Sequence, residues 1–272
     1  SLKGYQTVAA AWAAGGNLNT GREQVVGTGT SAAGLIAGGL AAPGTTGATE
    51  EYNGAAWTSG GSLSSARRIG AMSGIQTAAF LAGGFAPPAV NSTEEYGGTS
   101  WTAGGNLPST RSSSGASGTQ TAGVIFGGFT GGPPYDGVST TDEYNGSSWT
   151  AGGALNTARL SLMGDGTQTA GLAMGGDLTP GTARYSYGSS KAGTQSAAFA
   201  FGGLPGNLVS SEKYNGSSWS ADASLTNGRG YAAGFGTQTS AVLAGGSVPP
   251  KTNITEEYTD TFNATQTLTT ST

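Results

Sequence analysis

Hydrophobic and polar positions in this chain follow a pattern that recurs with a period in the mid-forties. Short apolar runs such as Ala122-Gly123-Val124-Ile125-Phe126 end in a Gly-Gly pair. A small-residue stretch such as Ile69-Gly70-Ala71-Met72 precedes each run, across a turn that usually reads Gly-Thr-Gln-Thr, as at 118–121 and 166–169. Beyond the Gly-Gly comes Glu-Glu-Tyr or a variant, then Asn-Gly, then a Trp. Asn-Gly between two strands is a strong type I′ hairpin signal, and it stands at Asn53-Gly54, Asn145-Gly146 and Asn215-Gly216. Each period therefore predicts four short antiparallel strands, and the Gly-rich turns leave no stretch that reads as a helix.

The spacing within the period is tight. From Tyr to Trp is five residues, from Trp to Arg ten, and from Arg to Gly-Gly sixteen, as in Tyr52, Trp57, Arg67 and Gly83. The same steps join Tyr96, Trp101, Arg111 and Gly127, then Tyr144, Trp149, Arg159 and Gly175, then Tyr214, Trp219, Arg229 and Gly245. A slightly stretched copy opens the chain at Tyr5, Trp12, Arg22 and Gly38. Repeats of this length signal a solenoid, propeller or array, and four antiparallel strands per unit select an all-β β-propeller. Gly-Gly pairs at Gly38, Gly83, Gly127, Gly175, Gly202 and Gly245 predict six blades. Unit four is short, with nine residues from Gly175 to Arg184 and no Trp between Trp149 and Trp219, so it is expected to be incomplete. The alternative is five blades with an inserted hairpin. A single propeller domain is expected over 1–262, with units at about 13–57, 58–101, 102–149, 150–183 (truncated), 184–219 and 220–262. Residues 1–12 are expected to supply N-terminal closing strands, since a ring must satisfy its open edge, and 263–272 a polar tail.

Gly-Gly after an apolar strand, a Tyr farther on and a Trp beyond resemble the kelch repeat, over nearly the whole chain. The spacing here is tighter than the kelch period of about 50, and Gly-Thr-Gln-Thr is not part of the kelch pattern. The near-verbatim Gly/Ser/Thr-rich copies are also similar to repeats in tail or surface proteins of marine phages. The first resemblance implies the propeller; the second implies a virion or cell-surface location.

Composition narrows the chemistry. Of 272 residues 51 are Gly, without a collagen-like period, and only 10% are charged. With a net charge of −4 and no basic stripe, nucleic acid is not an expected partner. No apolar run reaches membrane-spanning length, so no membrane insertion is expected. There is no Cys and no His, which removes disulfides, the commonest general base and the commonest metal ligand. No cofactor or metal is called for, and the scattered acids Glu23, Asp136, Asp165, Asp177, Asp222 and Asp260 form no evident catalytic pair. The chain is expected not to be an enzyme. It starts at Ser1 rather than Met, as a processed or partial product would.

The repeated side chains read as scaffold. Trp12, Trp57, Trp101, Trp149 and Trp219 are expected between blades, although such a ring could stack on sugars. Arg22, Arg67, Arg111, Arg159, Arg184 and Arg229 could form a cationic ring for an anion, but are expected to pair with a repeated carboxylate such as Glu51, Glu95 or Glu143. The turn Gln (Gln76, Gln120, Gln168, Gln195, Gln238) is expected to satisfy backbone groups or line one face. The segments between strands two and three (40–49, 85–93, 129–141, 204–210, 247–255) vary in length and composition instead. Antiparallel geometry gathers them, with the connections between blades, on one face. Candidate ligand-binding residues there are Phe85, Asn91, Phe129, Tyr135, Asp136, Asn207, Lys251 and Asn253. Variable loops on a rigid frame are where recognition usually resides; neutral drift in length-tolerant loops is the alternative.

The expected function is a non-enzymatic virion or cell-surface module that recognises a host surface component, a glycan before a protein, through these loops. A purely structural virion decoration or assembly part, in contact with other virion proteins, is the alternative, and a kelch-type protein-interaction scaffold the third. A homo-oligomer is compatible with all three, and a neighbouring copy could supply the strands unit four lacks.

Overall fold

The computed structural model describes residues 2–131, 136–177, 190–204, 206–247 and 251–268. Among them there is no helix. Two strands, β1 (Leu2–Val8) and β2 (Ala11–Ala14), precede the first blade, made of β3 (Val26–Thr30), β4 (Ala33–Ala37), β5 (Thr49–Tyr52) and β6 (Trp57–Gly60). Blade 2 is β7 (Ala71–Ile75), β8 (Ala78–Ala82), β9 (Thr93–Tyr96) and β10 (Trp101–Ala103). Blade 3 is β11 (Gly115–Thr119), β12 (Ala122–Phe126), β13 (Thr141–Tyr144) and β14 (Trp149–Ala151). Unit 4 has two strands among the described residues, β15 (Leu160–Gly166) and β16 (Gly171–Asp177). Blade 5 is β17 (Ser190–Thr194), β18 (Ala197–Phe201), β19 (Ser211–Tyr214) and β20 (Trp219–Ala221). Blade 6 joins β21 (Ala233–Thr237), β22 (Ser240–Ala244) and β23 (Thr255–Thr259) to the N-terminal β2.

The molecule is thus a β-propeller with five four-stranded antiparallel blades, the count given as the alternative. The hairpin β15–β16 stands in the ring as a two-stranded sixth unit. Its inner strand lies against those of blades 3 and 5, and the sequence β3, β7, β11, β15, β17, β21 closes back on β3.

Each strand's composition follows from its radius. Second strands are buried on both faces, between their own blade's neighbours and the next blade, so they read as continuous apolar runs: Leu35, Ile36 and Ala37, or Phe80, Leu81 and Ala82. Where a large ring fills the gap, the facing position must be empty. A Cβ on Gly123 would lie 2.4 Å from the Phe80 ring of the preceding blade. The Gly-Gly corner is also fixed by geometry: Gly83 has φ +63°, and a Cβ there would meet the Arg111 carbonyl oxygen at 2.1 Å.

The ring closes where β2 pairs with β23, Trp12 opposite Tyr258. This leaves Leu2–Val8 outside the blades. Those residues pair with β24 (Phe262–Leu268), Leu2 opposite Leu268 and Val8 opposite Phe262. The expected polar tail from Asn263 is therefore strand as far as Leu268. The physical reason is that the backbone groups of these residues can be satisfied by ladder hydrogen bonds as well as by water. The β1–β24 ribbon leaves blade 6 on the side of the tight hairpin turns, opposite the loops between second and third strands.

Candidate functional site

Repeated side chains are engaged inside the scaffold. Each Tyr–Trp pair flanks an Asn-Gly-type turn and its rings pack together, at 4.7 Å for Tyr52–Trp57 and for Tyr144–Trp149. The Trp then reaches the preceding blade. Trp149 meets Phe80 edge-on at 5.7 Å, and Trp57 meets Phe235 at 6.1 Å. Indole N–H groups donate to the Thr that opens the preceding blade's third strand: Trp57 to Thr255, Trp101 to Thr49 and Trp149 to Thr93, at 2.9–3.0 Å. Trp12 donates instead to the Ala223 carbonyl. Trp219 is the exception, at 40% exposure.

The arginines pair with carboxylates, but not the ones expected. Arg22 binds Glu50 at 2.6 Å, Arg67 binds Glu94 at 2.5 Å, Arg111 binds Asp142 at 2.8 Å and Arg229 binds Glu256 at 2.7 Å. Glu51, Glu95 and Glu143 are the second acids of their pairs, and strand alternation turns them the other way. Glu51 and Glu95 accept the hydroxyls of Tyr96 and Tyr144 from the following blade, and Glu257 that of Tyr52. The first acid faces the connection carrying the Arg, whose guanidinium also binds backbone carbonyls such as Ala48 and Gly127. Its other oxygen takes a backbone N–H of the same connection, Asn19, Ser64 or Thr226. Burial pulls all four guanidinium pKa values down, and the facing carboxylates oppose it. Arg159 donates to the Gly175 carbonyl at 3.1 Å. Arg184 lies outside the described residues.

The turn Gln completes each seam. Gln76, Gln120, Gln168 and Gln238 each donate to two backbone carbonyls of the preceding blade, for Gln120 those of Ala79 and Tyr96. One seam is reversed in sign. Lys213 takes the place of the second acid in blade 5 and binds Asp222 at 2.8 Å and Asp260 at 2.6 Å, while Tyr258 donates to Asp222. Burial opposes these charges, yet the shared hydrogen bonds raise Lys213 and lower both aspartates.

On the loop face the variable segments of blades 1, 2, 3 and 6 are each pinned by a short three-part ladder. Arg68 bridges Phe85, which bridges Ala89; Ser112 bridges Phe129, which bridges Gly137; Gly230 bridges Ser247, which bridges Lys251. Phe85 and Phe129 thus hold one repeated backbone position with half-buried rings, and the Arg68 guanidinium lies 5.1 Å over Phe85. Lys251 reaches across to the Ala41 carbonyl in the next loop, at 3.4 Å. Asn91 and Asn253 are repeat-equivalent: their side-chain amides donate to the carbonyls of Leu107 and Leu18, whose N–H groups donate to the Asn91 and Asn253 backbone carbonyls. Asn207 is half-buried with φ +57°, and Asp136 is exposed. Tyr135 lies outside the described residues. Phe85, Phe129, Asp136, Asn207 and Lys251 therefore share one face, whereas Asn91 and Asn253 staple the frame of that face.

Sequence reasoning did not single out a collar at the centre. Two residues after the Arg stand Gln24, Ile69, Ser113, Ser161 and Tyr231, all left-handed, with φ between 49° and 59°. Gln24 N–H donates to the Tyr231 carbonyl, Ile69 to Gln24, Ser113 to Ile69 and Ser161 to Ser113, at 2.8–3.1 Å. A β-branched residue at positive φ is a rare strain, held here by the interblade hydrogen bonds. The only sequence signal was the constant offset from Arg, because no Gly marks the position. Among the described residues, collar, Arg68 and loops together offer aromatic, amide and cationic groups. Among the described residues no cluster of His, Cys, Asp or Glu could hold a metal ion.

No family model and no curated protein matches the sequence. Solved structures do resemble it, among them that of YjhT, with a TM-score of 0.65 at 11% identity, covering 92% of this chain and 99% of that one. At that identity the likeness carries the fold alone: this chain has a propeller of the same architecture.

Proposed function

We propose that the protein is a non-enzymatic recognition module of a virion or cell surface, which binds a neutral host-surface glycan through the loop face. One observation carries this reading: most repeated Trp, Arg and Gln side chains bind within the scaffold, while Phe85, Asp136, Asn207 and Lys251, from loops that differ between blades, gather on one face. The β1–β24 ribbon departs from the other side, so a body attached there would leave the loop face outward. Aromatic rings beside amides and few charges suit carbohydrate, where stacking and hydrogen bonding act together.

The test is binding of labelled protein to a broad glycan and host-envelope panel, beside a variant whose residues 129–141 are replaced by a short Gly/Ser loop. Saturable binding that the loop variant loses is the expected result. A folded protein that binds nothing at any valency would overturn recognition and leave a structural part of the particle.

A further inference from the structure

The seam between blades 5 and 6 departs from the repeat at three positions together. Lys213 precedes Tyr214 where the other four-stranded blades carry Glu. Asp222 follows Trp219 by three residues, where the other blades carry Gly, as at Gly60 and Gly104. Asp260 follows Tyr258 by two, again in place of Gly. Lys213 lies on β19, Asp222 just past β20, and Asp260 just past β23 in the next blade. They nevertheless meet: the Lys213 ammonium binds Asp222 at 2.8 Å and Asp260 at 2.6 Å, and lies 5.2 Å over the Tyr258 ring.

The common seam shows why these changes belong together. There a tyrosine hydroxyl donates to the Glu of the preceding blade, and the Gly after the Trp leaves room for it. A Cβ on Gly15, Gly60 or Gly104 would lie 2.5–3.0 Å from the hydroxyl of Tyr52, Tyr96 or Tyr144. At the blade 5–6 seam Asp222 stands at that place and itself accepts the Tyr258 hydroxyl at 3.0 Å. Halves of the two kinds of seam do not suit each other. A common blade set against blade 6 would turn its Glu toward Asp260, like charge on like charge. Blade 5 set against a common blade would leave Lys213 facing Gly instead of Asp260. Attraction to one neighbour and repulsion from the others is how a surface discriminates.

The same seam holds both ends of the propeller. Trp12 of β2 packs on Phe201 at 4.9 Å and Phe199 at 5.9 Å, and donates to the Ala223 carbonyl beside Asp222. The Ala10 N–H donates to the Thr261 hydroxyl beside Asp260. β2 is a four-residue Trp strand much like β6, so during folding the third strands of other blades, or of other copies, compete for it.

We propose that Lys213, Asp222 and Asp260 form a key that makes blade 6, with β2 in it, the one neighbour blade 5 accepts. The key fixes where the ring closes and keeps β2 in its own chain. This inference stands apart from the recognition reading, since it involves neither the loop face nor a glycan.

Two variants test it. Lys213→Glu alone leaves three carboxylates together without their cation, whereas Lys213→Glu/Asp222→Gly/Asp260→Gly rewrites the seam in the common pattern. The denaturation midpoint should fall in the single variant and recover in the triple one. Differently tagged wild-type copies, unfolded and refolded as a mixture, should give no more mixed-tag product than the two folded proteins simply mixed. The triple variant should give mixed-tag species whose share grows with protein concentration, as β2 of one copy enters blade 6 of another. A triple variant no more stable than the single one would overturn the proposal, because the three residues would not act as a set. So would a triple variant that recovers stability and refolds with no more mixed-tag product than the wild type.

Discussion

The seam between blades 2 and 3 and the flank between unit 4 and blade 5 start from the same repeat and end in opposite states. At the first, Trp149 is buried against Phe80 and bound to Thr93, Tyr144 to Glu95, and Gln120 to two carbonyls. At the second, the same Tyr–Trp pair packs ring to ring, Tyr214 on Trp219 at 5.0 Å, yet the indole stays exposed. The residues of a repeat act on the blade before them. Where the preceding unit has two strands among the described residues, the motif keeps its shape but its indole is exposed. Stability in this propeller therefore belongs to interfaces between units, as nearest-neighbour models of repeat proteins hold.

The largest expected effects come from breaking a buried group at a complete seam. Arg67→Met leaves Glu94 buried without its cation and should destabilise the fold by about 3–5 kcal/mol, read as a lowered midpoint in denaturant. Trp149→Ala should cost about 3–5 kcal/mol as a large buried aromatic. Trp219→Ala, the same substitution at the open flank, should cost well under half of that, and equal losses would contradict the comparison. Next comes Gln120→Ala, which strands two interblade carbonyls and should cost about 1–3 kcal/mol. Glu95→Ala and Glu143→Ala form a finer pair: the first orphans the Tyr144 hydroxyl, while the second should fall within about 0.5 kcal/mol of neutral, as exposed sites do.

The smallest effects are those of pH. Burial, then the hydrogen bond to Glu95, pushes Tyr144 up to about 12, and burial together with Asp222 pushes Tyr258 up to about 12 against the opposing Lys213. Tyr52 and Tyr96 move the same way. A raised folded pKa contributes stability that is full below the unfolded tyrosine value of about 10 and declines as pH rises above it. Asp222 and Asp260 are lowered, so their contribution is full above the unfolded aspartate value of about 4 and declines as pH falls below it. Melting curves should thus flatten between these limits. Asp222→Asn should weaken the acid-side slope while leaving the alkaline side governed by the other tyrosines.

Much of this architecture was legible in the sequence because the turns are written in residues with narrow conformational choice. Asn53-Gly54 marked a hairpin connection correctly but not its type: the loop runs over 53–56 with only Gly54 at positive φ, so it is not a type I′ turn, while Gly83-Gly84 is a corner with positive φ. The Arg–carboxylate pairing was legible as a pair but not as a register. Glu50 and Glu51 are chemically alike, and which one faces Arg22 depends on strand parity. The collar at Ile69 and Tyr231 left no mark, since tertiary hydrogen bonds rather than local preference hold those residues left-handed. The ribbon was missed for a related reason: 263–268 is short and rich in Thr, Asn and Gln, and its pairing with Leu2–Val8 makes it strand. On the loop face, length variation located the segments, but only coordinates separate Asn91 and Asn253, which staple the frame, from Asp136 at its surface.

Amide hydrogen exchange under native conditions reads the central comparison strand by strand. If stability belongs to the seams, β8, β12 and β13 should exchange last, and β15, β16, β19 and β20 well before them. Uniform protection around the ring, with unit 4 as slow as blade 2, would contradict that account.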